Sequence, residues 1–346
     1  MKKALLLLML LFLAVIPARA AELTAPTAPD SALEYMPEET ESFSDGLWYI
    51  IQRAINKVYP SITKACGICL SIIAINLLTG MFSHFDGAGR KTISLVGTVG
   101  CGVILFQATG TLASLGVSTI NELNEYGKLL LPVMSTALAA QGGVTSSTML
   151  YTGTAAFMAI LSMAISKFLV PMIYIYLGLG VGTSALEENT LKSLQDSTKW
   201  LMTWTLKIIL YIFTGYMAIS GVITGTTDAA ALRATKLTIS GVVPMVGGIL
   251  SDASEAVLVS AGLMKNSVGI YGLLAVAAIW IEPFLQVGVQ YLLLKLTGGV
   301  CASFASKQTS GLIKTFTSAM GIILAMTGAI CVMILVSTVC FMRGVG

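Results

Sequence analysis

The sequence predicts an all-α, polytopic membrane protein: about seven transmembrane helices with interrupted or amphipathic segments, behind a cleaved signal peptide. Three observations predict it. Hydrophobic residues make up 55% of the chain and charged ones 11%, and mean hydropathy is +0.86, too apolar for an ordinary soluble domain. The apolar segments run for about 20 residues, the length of a spanning helix, instead of alternating over about 10 as barrel strands do. Between them lie polar-headed segments broken by Pro and Gly, and irregular backbone survives at membrane depth only where protein or water satisfies it. Lys plus Arg number 20 against 17 Asp plus Glu, a balance that points to no nucleic acid and no strongly acidic partner.

Residues 1–20 have a basic start (Lys2, Lys3), an apolar run from Ala4 to Ile16 and the small-residue site Ala18-Arg19-Ala20, the pattern of a signal peptide. Residues 21–60 form an exported leader. Its first half carries Pro26, Pro29 and Pro37 among acids such as Glu22, Asp30, Glu34 and Glu38, a composition expected to be disordered. From Ser44 to Tyr59, Leu47, Ile50, Ile51, Ala54 and Val58 share one helical face, which would lie on the membrane surface or against a partner.

Residues 61–346 form the multi-span domain. The first span is expected at Ile62 to Phe82 and the second at Thr92 to Leu115. An amphipathic segment from Val117 to Gly143 then leads into a half-span, LLLPVMSTALAAQGG. Ser147 to Gly182 is long enough for two spans with Lys167 at the turn, Pro171 falling in the first turn of the second, where a missing N–H costs little. Trp200 and Trp204 mark the interfacial entry to a span ending near Thr224. The last two spans are expected at Ser267 to Leu293 and Ser318 to Phe341. Seven crossings from an exported leader put the C-terminus in the cytoplasm. Arg90, Lys91, Arg233, Lys236 and Arg343 would then lie inside, but Lys192, Lys199, Lys307 and Lys314 outside, so the positive-inside rule gives mild support.

The chain is organised around Gly241 to Leu296. There Pro244, Gly247 and Gly248 break the chain ahead of a short helix headed by Ser251, Asp252 and Glu255 and closed at Lys265-Asn266. An acid at a helix start with Glu three residues on resembles a capping box, and the same residues could form a docking or gating surface. The following span carries Glu282-Pro283 near its middle. An ionisable group at depth faces a cavity or partner, so Glu282 is the candidate intramembrane polar residue, with Lys207 second because it can snorkel. Gly178 with Gly182, and Gly221 with Gly225, have the small-xxx-small spacing of close helix packing. The Pro-Val-Met segment near Gly142-Gly143 and the Pro-Met-Val segment near Gly247-Gly248 could mark an inverted repeat.

No catalytic, cofactor-binding or metal-binding constellation is legible. Cys66-Gly-Ile-Cys69 has no second pair, and His84 is the one histidine in the chain, short of what zinc or thioredoxin-like chemistry requires. Gly178-Leu-Gly-Val-Gly182 follows no strand, so it is no phosphate loop.

The stretch VPMVGGILSDASEAVLVSAGLMKNSVGIYGL resembles the signature of the stage III sporulation protein AE family of endospore-forming Firmicutes. So does the order of parts, from signal peptide and acidic leader through Leu129 to Val133 and Gly142-Gly143 to the Lys265 to Gly269 turn. The likeness covers the chain from about Tyr35 onward and is specific from Pro244 to Gly272. It departs from the family at Glu282, where members usually have a basic or neutral residue. The resemblance implies a polytopic component of the channel complex joining mother cell and forespore, in the mother-cell-derived outer forespore membrane. Implied partners are a ring-forming protein and an ATPase of the same operon and a forespore protein; a homo-oligomer is also open. The family has no established catalytic residues to carry over. Two readings stand: a non-enzymatic, membrane-embedded component of a multi-protein channel, or a stand-alone secondary transporter with a midplane cavity lined by Glu282 and Lys207.

Overall fold

The computed structural model describes residues 24–37, 42–82, 89–186, 189–242, 247–303 and 305–343; for helical residues 89–91, 186, 189, 221–242 and 247–264 it gives the backbone path alone. Among them there is no strand. The expected signal peptide and His84 lie outside the described residues.

A short helix α1 (Asp30–Leu33) is followed by the amphipathic α2 (Phe43–Lys57), then α3 (Tyr59–Phe82) and α4 (Gly89–Ala140). Next come α5 (Val144–Ala164), a π-turn (Ile165–Leu169) and α6 (Val170–Leu186). The chain ends in α7 (Asn189–Val242), α8 (Gly247–Cys301) and α9 (Lys307–Arg343). Six helices among the described residues are long and apolar enough to cross a membrane. Six replace the expected seven because Val144–Ala185 is one apolar run of 42 residues.

The missing turn at Lys167 has a local cause. Pro171 offers no N–H to the Lys167 carbonyl and its ring would press on it. The chain widens instead of stopping: the Val170 N–H bonds back to the Ile165 carbonyl, five residues earlier, the register of a π-bulge. Pro132 and Pro283 likewise lie inside continuous helices. The expected half-span after Val117 is therefore the second part of the 52-residue α4. In the same way α8 runs through Lys265-Asn266 without the predicted stop.

A sharp stop does occur at Gly142-Gly143. Gly142 takes a φ of 92°, its N–H bonds to the Ala139 carbonyl and the Gly143 N–H to the Leu138 carbonyl. This is the paired arrangement of a Schellman cap, which needs a left-handed residue and so favours glycine.

The six long helices run up and down. At one end Thr98 Oγ1 meets Thr309 Oγ1 at 3.1 Å and Gln195 Nε2 donates to Thr315 Oγ1 at 2.7 Å. At the other, Gly269 packs on Met342, Gly272 on Leu130 and Gly153 on Tyr216. The core belongs to α8 and α9, whose most apolar windows are 56% and 61% buried, against 22–33% for the other four.

The leader is ordered from residue 24 to 37, contrary to the expected disorder. Its apolar residues reach the core: Ala32, Tyr35 and Met36 are buried. Ala28 N–H donates to the Tyr271 hydroxyl at 3.4 Å, and Ser31 Oγ donates to the Glu122 carboxylate. Helix α2 turns Ile50 and Ala54 inward and packs against α8, so its partner is the bundle itself.

Among the described residues six antiparallel passes return Arg343 to the leader's end, so with an exported leader the C-terminus would lie on the leader's side, where seven spans would put it in the cytoplasm. They also bring the basic residues flanking the far-end connections to one side: Arg90 and Lys91, Lys192 and Lys199, and Lys307 and Lys314. For these connections alone the positive-inside rule gives mild support to that end as the cytoplasmic one. Arg233, Lys236 and Arg343 move to the leader's end under six spans, so the basic residues still divide between the two sides.

Candidate polar cleft

On α8 the residues Glu282, Gln286 and Gln290 recur every fourth position, so they lie along one face of the helix. Gln286 Nε2 donates to Glu282 Oε1 at 3.0 Å. Gln290 is 2% exposed, and its Nε2 has no hydrogen-bond partner. Both glutamines line a cleft of about 610 Å³ between α3, α4 and α8. Helix α3 adds Ser61, Lys64 and Ser71; α4 adds Gln107 and Thr111, with Ile68, Ile104 and Leu112 as apolar wall. Ser71 Oγ donates to the Gly67 carbonyl and Thr111 Oγ1 to the Gln107 carbonyl, so each hydroxyl oxygen remains free to accept. Lys64 is the one charged residue among the described lining residues.

The cleft sits where the exposed face of α4 changes character. Leu95, Val96, Val99, Val103 and Phe106 are exposed and apolar. One helical stripe later the exposed residues are Gln107, Thr111, Ser114, Ser118, Asn121, Glu125 and Lys128. Those seven span 22 residues, about 32 Å of helix. A face of that length without an apolar side chain is unsuited to lipid.

Above the cleft the leader closes over Glu282. The Tyr35 phenol lies beside the Glu282 carboxylate and is pushed well above its ordinary range, by burial first and by Glu282 second. Lys57 Nζ lies 5.1 Å from the centre of the Tyr35 ring and pairs with Glu34. That pairing holds the exposed Glu34 carboxyl below its usual value.

The remaining candidates are scattered. Lys207 is exposed on α7 and does not line the cleft. Lys265 is buried and Asn266 exposed. Pro244 lies outside the described residues, as do the side chains of Asp252 and Glu255, and for Gly221, Gly225, Gly247 and Gly248 only the helical backbone path is described. Gly178 is exposed, and a Cβ built there meets nothing within 4 Å; at Gly182 it meets Leu191 at 3.6 Å. The close approach in α6 is at Gly180, where a Cβ would sit 2.4 Å from Thr315 Cγ2 and 2.9 Å from Gln195 Nε2. Among the described residues no group of His, Cys, Asp and Glu could hold a metal ion. Cys69 is buried and Cys66 half-buried, both as free thiols. Sequence reasoning missed Lys64, Gln286, Gln290 and Tyr35. The four-residue spacing from Glu282 to Gln290 in an apolar span was the available signal for two of them.

Comparison with known proteins gives a consistent answer. A family described as stage III sporulation protein AE matches residues 32–344. The curated stage III sporulation protein AE of Bacillus subtilis (strain 168) is 24% identical over 168 residues, 49% of this chain and 42% of the relative. The chain thus aligns with less than half the length of that relative. No solved structure matches. With its match running over nearly the whole described bundle, the chain belongs to the stage III sporulation protein AE family.

Proposed function

We propose that the chain is a non-enzymatic integral membrane component of the mother cell–forespore channel, a secretion-like complex needed for endospore development, and that it resides in the outer forespore membrane. The observation that carries this reading is the family match over residues 32–344. The packed six-helix bundle is compatible with it. A transporter of the kind considered above would pair Glu282 with Lys207 across broken helices. Here Lys207 does not line the cleft and the helix continues through Pro132, while Pro244 of the second Pro-Gly segment lies outside the described residues. Energy for transfer would come from an ATPase partner, with a ring-forming protein and a forespore protein completing the assembly. Asp252 and Glu255 remain the proposed docking residues.

Deletion of the gene in its sporulating host tests the proposal. Development is expected to halt after engulfment and to resume when the intact gene is restored. Normal spore yield without the gene would overturn it.

A further inference from the structure

We propose that the polar stripe of α4 is the seam on which a second copy of this chain packs, the two α4 helices running parallel about a two-fold axis along the membrane normal. The inference does not depend on which complex the chain joins.

Three observations carry it. The first is depth. At one end of the stripe Phe106 packs on Tyr174, ring centroids 6.2 Å apart. At the other a Cβ on Gly127 would sit 2.4 Å from Met158 Cε, and the neighbouring Phe157 meets Phe213 of α7 at 5.6 Å. Between those levels α5 and α7 expose Ile160, Met163, Ile208 and Ile212, a surface suited to lipid, from which the exposed Lys167 and Lys207 can snorkel. The stripe crosses the same depth on polar side chains alone, over about 32 Å, close to the thickness of a hydrocarbon core. Lipid cannot satisfy such a face, and another polar surface can.

The second is charge. Glu125 and Lys128, one turn apart on the stripe, have no ion-pair partner among the described residues, and ionisable groups at membrane depth pair with one another. A parallel copy sets its own Lys128 diagonally across from Glu125 and its own Glu125 across from Lys128, so each charge meets its opposite. A two-fold interface requires that self-complementarity. The third is spacing and size. From Gln107 the exposed polar residues follow in steps of four, three, four, three, four and three, the seven-residue repeat of a left-handed helix pair. Thr111, Ser114, Ser118 and Asn121 occupy its middle, and a Cβ on the adjoining Gly110 would meet nothing within 4 Å. Small hydroxyl and amide side chains let membrane helices approach closely and hydrogen-bond across the contact.

The test uses the full chain, first in native membranes and then purified in dodecyl maltoside. Ser118→Cys, in the middle of the seam, should form a disulfide-linked dimer on oxidation with copper phenanthroline. Wild type, with its own six cysteines, and Thr214→Cys on the exposed face of α7 should not cross-link. In sedimentation of the purified chain, Glu125→Lys and Lys128→Glu should each weaken the dimer at least roughly fivefold, because each turns two attractions into repulsions of the size that exposed ion pairs show. The exchange Glu125→Lys/Lys128→Glu puts opposite charges back on every diagonal and should recover wild-type affinity. All these positions are exposed, so the variants are expected to fold. A wild-type chain that sediments as a monomer at every concentration would overturn the assignment, as would an exchange no better than either single change. So would Ser118→Cys that stays uncrosslinked while its thiol reacts with a membrane-impermeant maleimide, which would leave the stripe facing water. A different protein held on the stripe and released by Glu125→Lys would equally displace the second copy.

Discussion

Removing the Tyr35 hydroxyl should loosen the leader from the bundle. Tyr35→Phe keeps the buried ring, 1% exposed in the native chain, and deletes the hydroxyl that interacts with the Glu282 carboxylate. Hydrogen bonds to charged groups contribute about 1.5–3 kcal/mol, which raises the undocked fraction of the leader by roughly 10- to 150-fold. Four amides of the leader report that opening: Ala32 and Leu33 bond to the Pro29 carbonyl, and Tyr35 and Met36 to that of Ala32. Their hydrogen-exchange protection should fall by this factor, while amides in the core of α9 keep theirs. Glu282→Leu should give a similar loss, and the double variant should cost clearly less than the sum, because both changes delete one interaction. Strict additivity, or unchanged protection in Tyr35→Phe, would refute the reasoning and leave the leader held by apolar burial alone.

Gly180→Ala should lower the melting temperature of the purified chain. Its Cβ would collide with Thr315 and Gln195 and disturb their 2.7 Å hydrogen bond, an overpacking cost of typically 1–3 kcal/mol; Gly178→Ala, with open space around it, should change stability by less than about 0.5 kcal/mol. Leader docking should also depend on alkali. The Tyr35 phenol is raised above its ordinary 10.0 in the folded chain, so its contribution is fully present below about pH 10 and is lost as pH rises through the higher folded value. Amide protection corrected for intrinsic exchange should therefore be flat to about pH 9 and fall beyond 10; a fall centred near neutrality would contradict the assignment. A third test addresses topology: alkaline phosphatase fused to the C-terminus should be active and a cytoplasmic reporter there inactive. The reverse would reject the six-pass arrangement.

Fold class was legible because the membrane imposes it: about 20 apolar residues in a row admit few structures other than a spanning helix. The connections were harder to read, because proline has two outcomes. At Pro171 a π-turn absorbs the lost bond, and at Pro132 and Pro283 the helix simply continues. Local sequence does not encode which outcome packing selects. Gly142-Gly143 was readable for the opposite reason, since a left-handed cap needs glycine. The leader was misjudged because its prolines and its run of acids resemble a disordered segment, yet Ala32, Tyr35 and Met36 suffice once α4 and α8 offer a surface. In the cleft, Glu282 stood out as an acid in a span. Its neighbours Gln286 and Gln290 did not, because an uncharged amide raises no alarm until its partners can be counted. Lys64 and Gln107 come from two other helices, a juxtaposition that exists only in three dimensions.

The proposed place of the chain in a sporulation channel is tested most directly by purifying a tagged copy from sporulating cells and identifying what remains bound. The account predicts recovery of the ring-forming and ATPase proteins of the same operon, with loss of that binding on Asp252→Ala/Glu255→Ala. A well-behaved monomer or homodimer carrying none of those partners would contradict it.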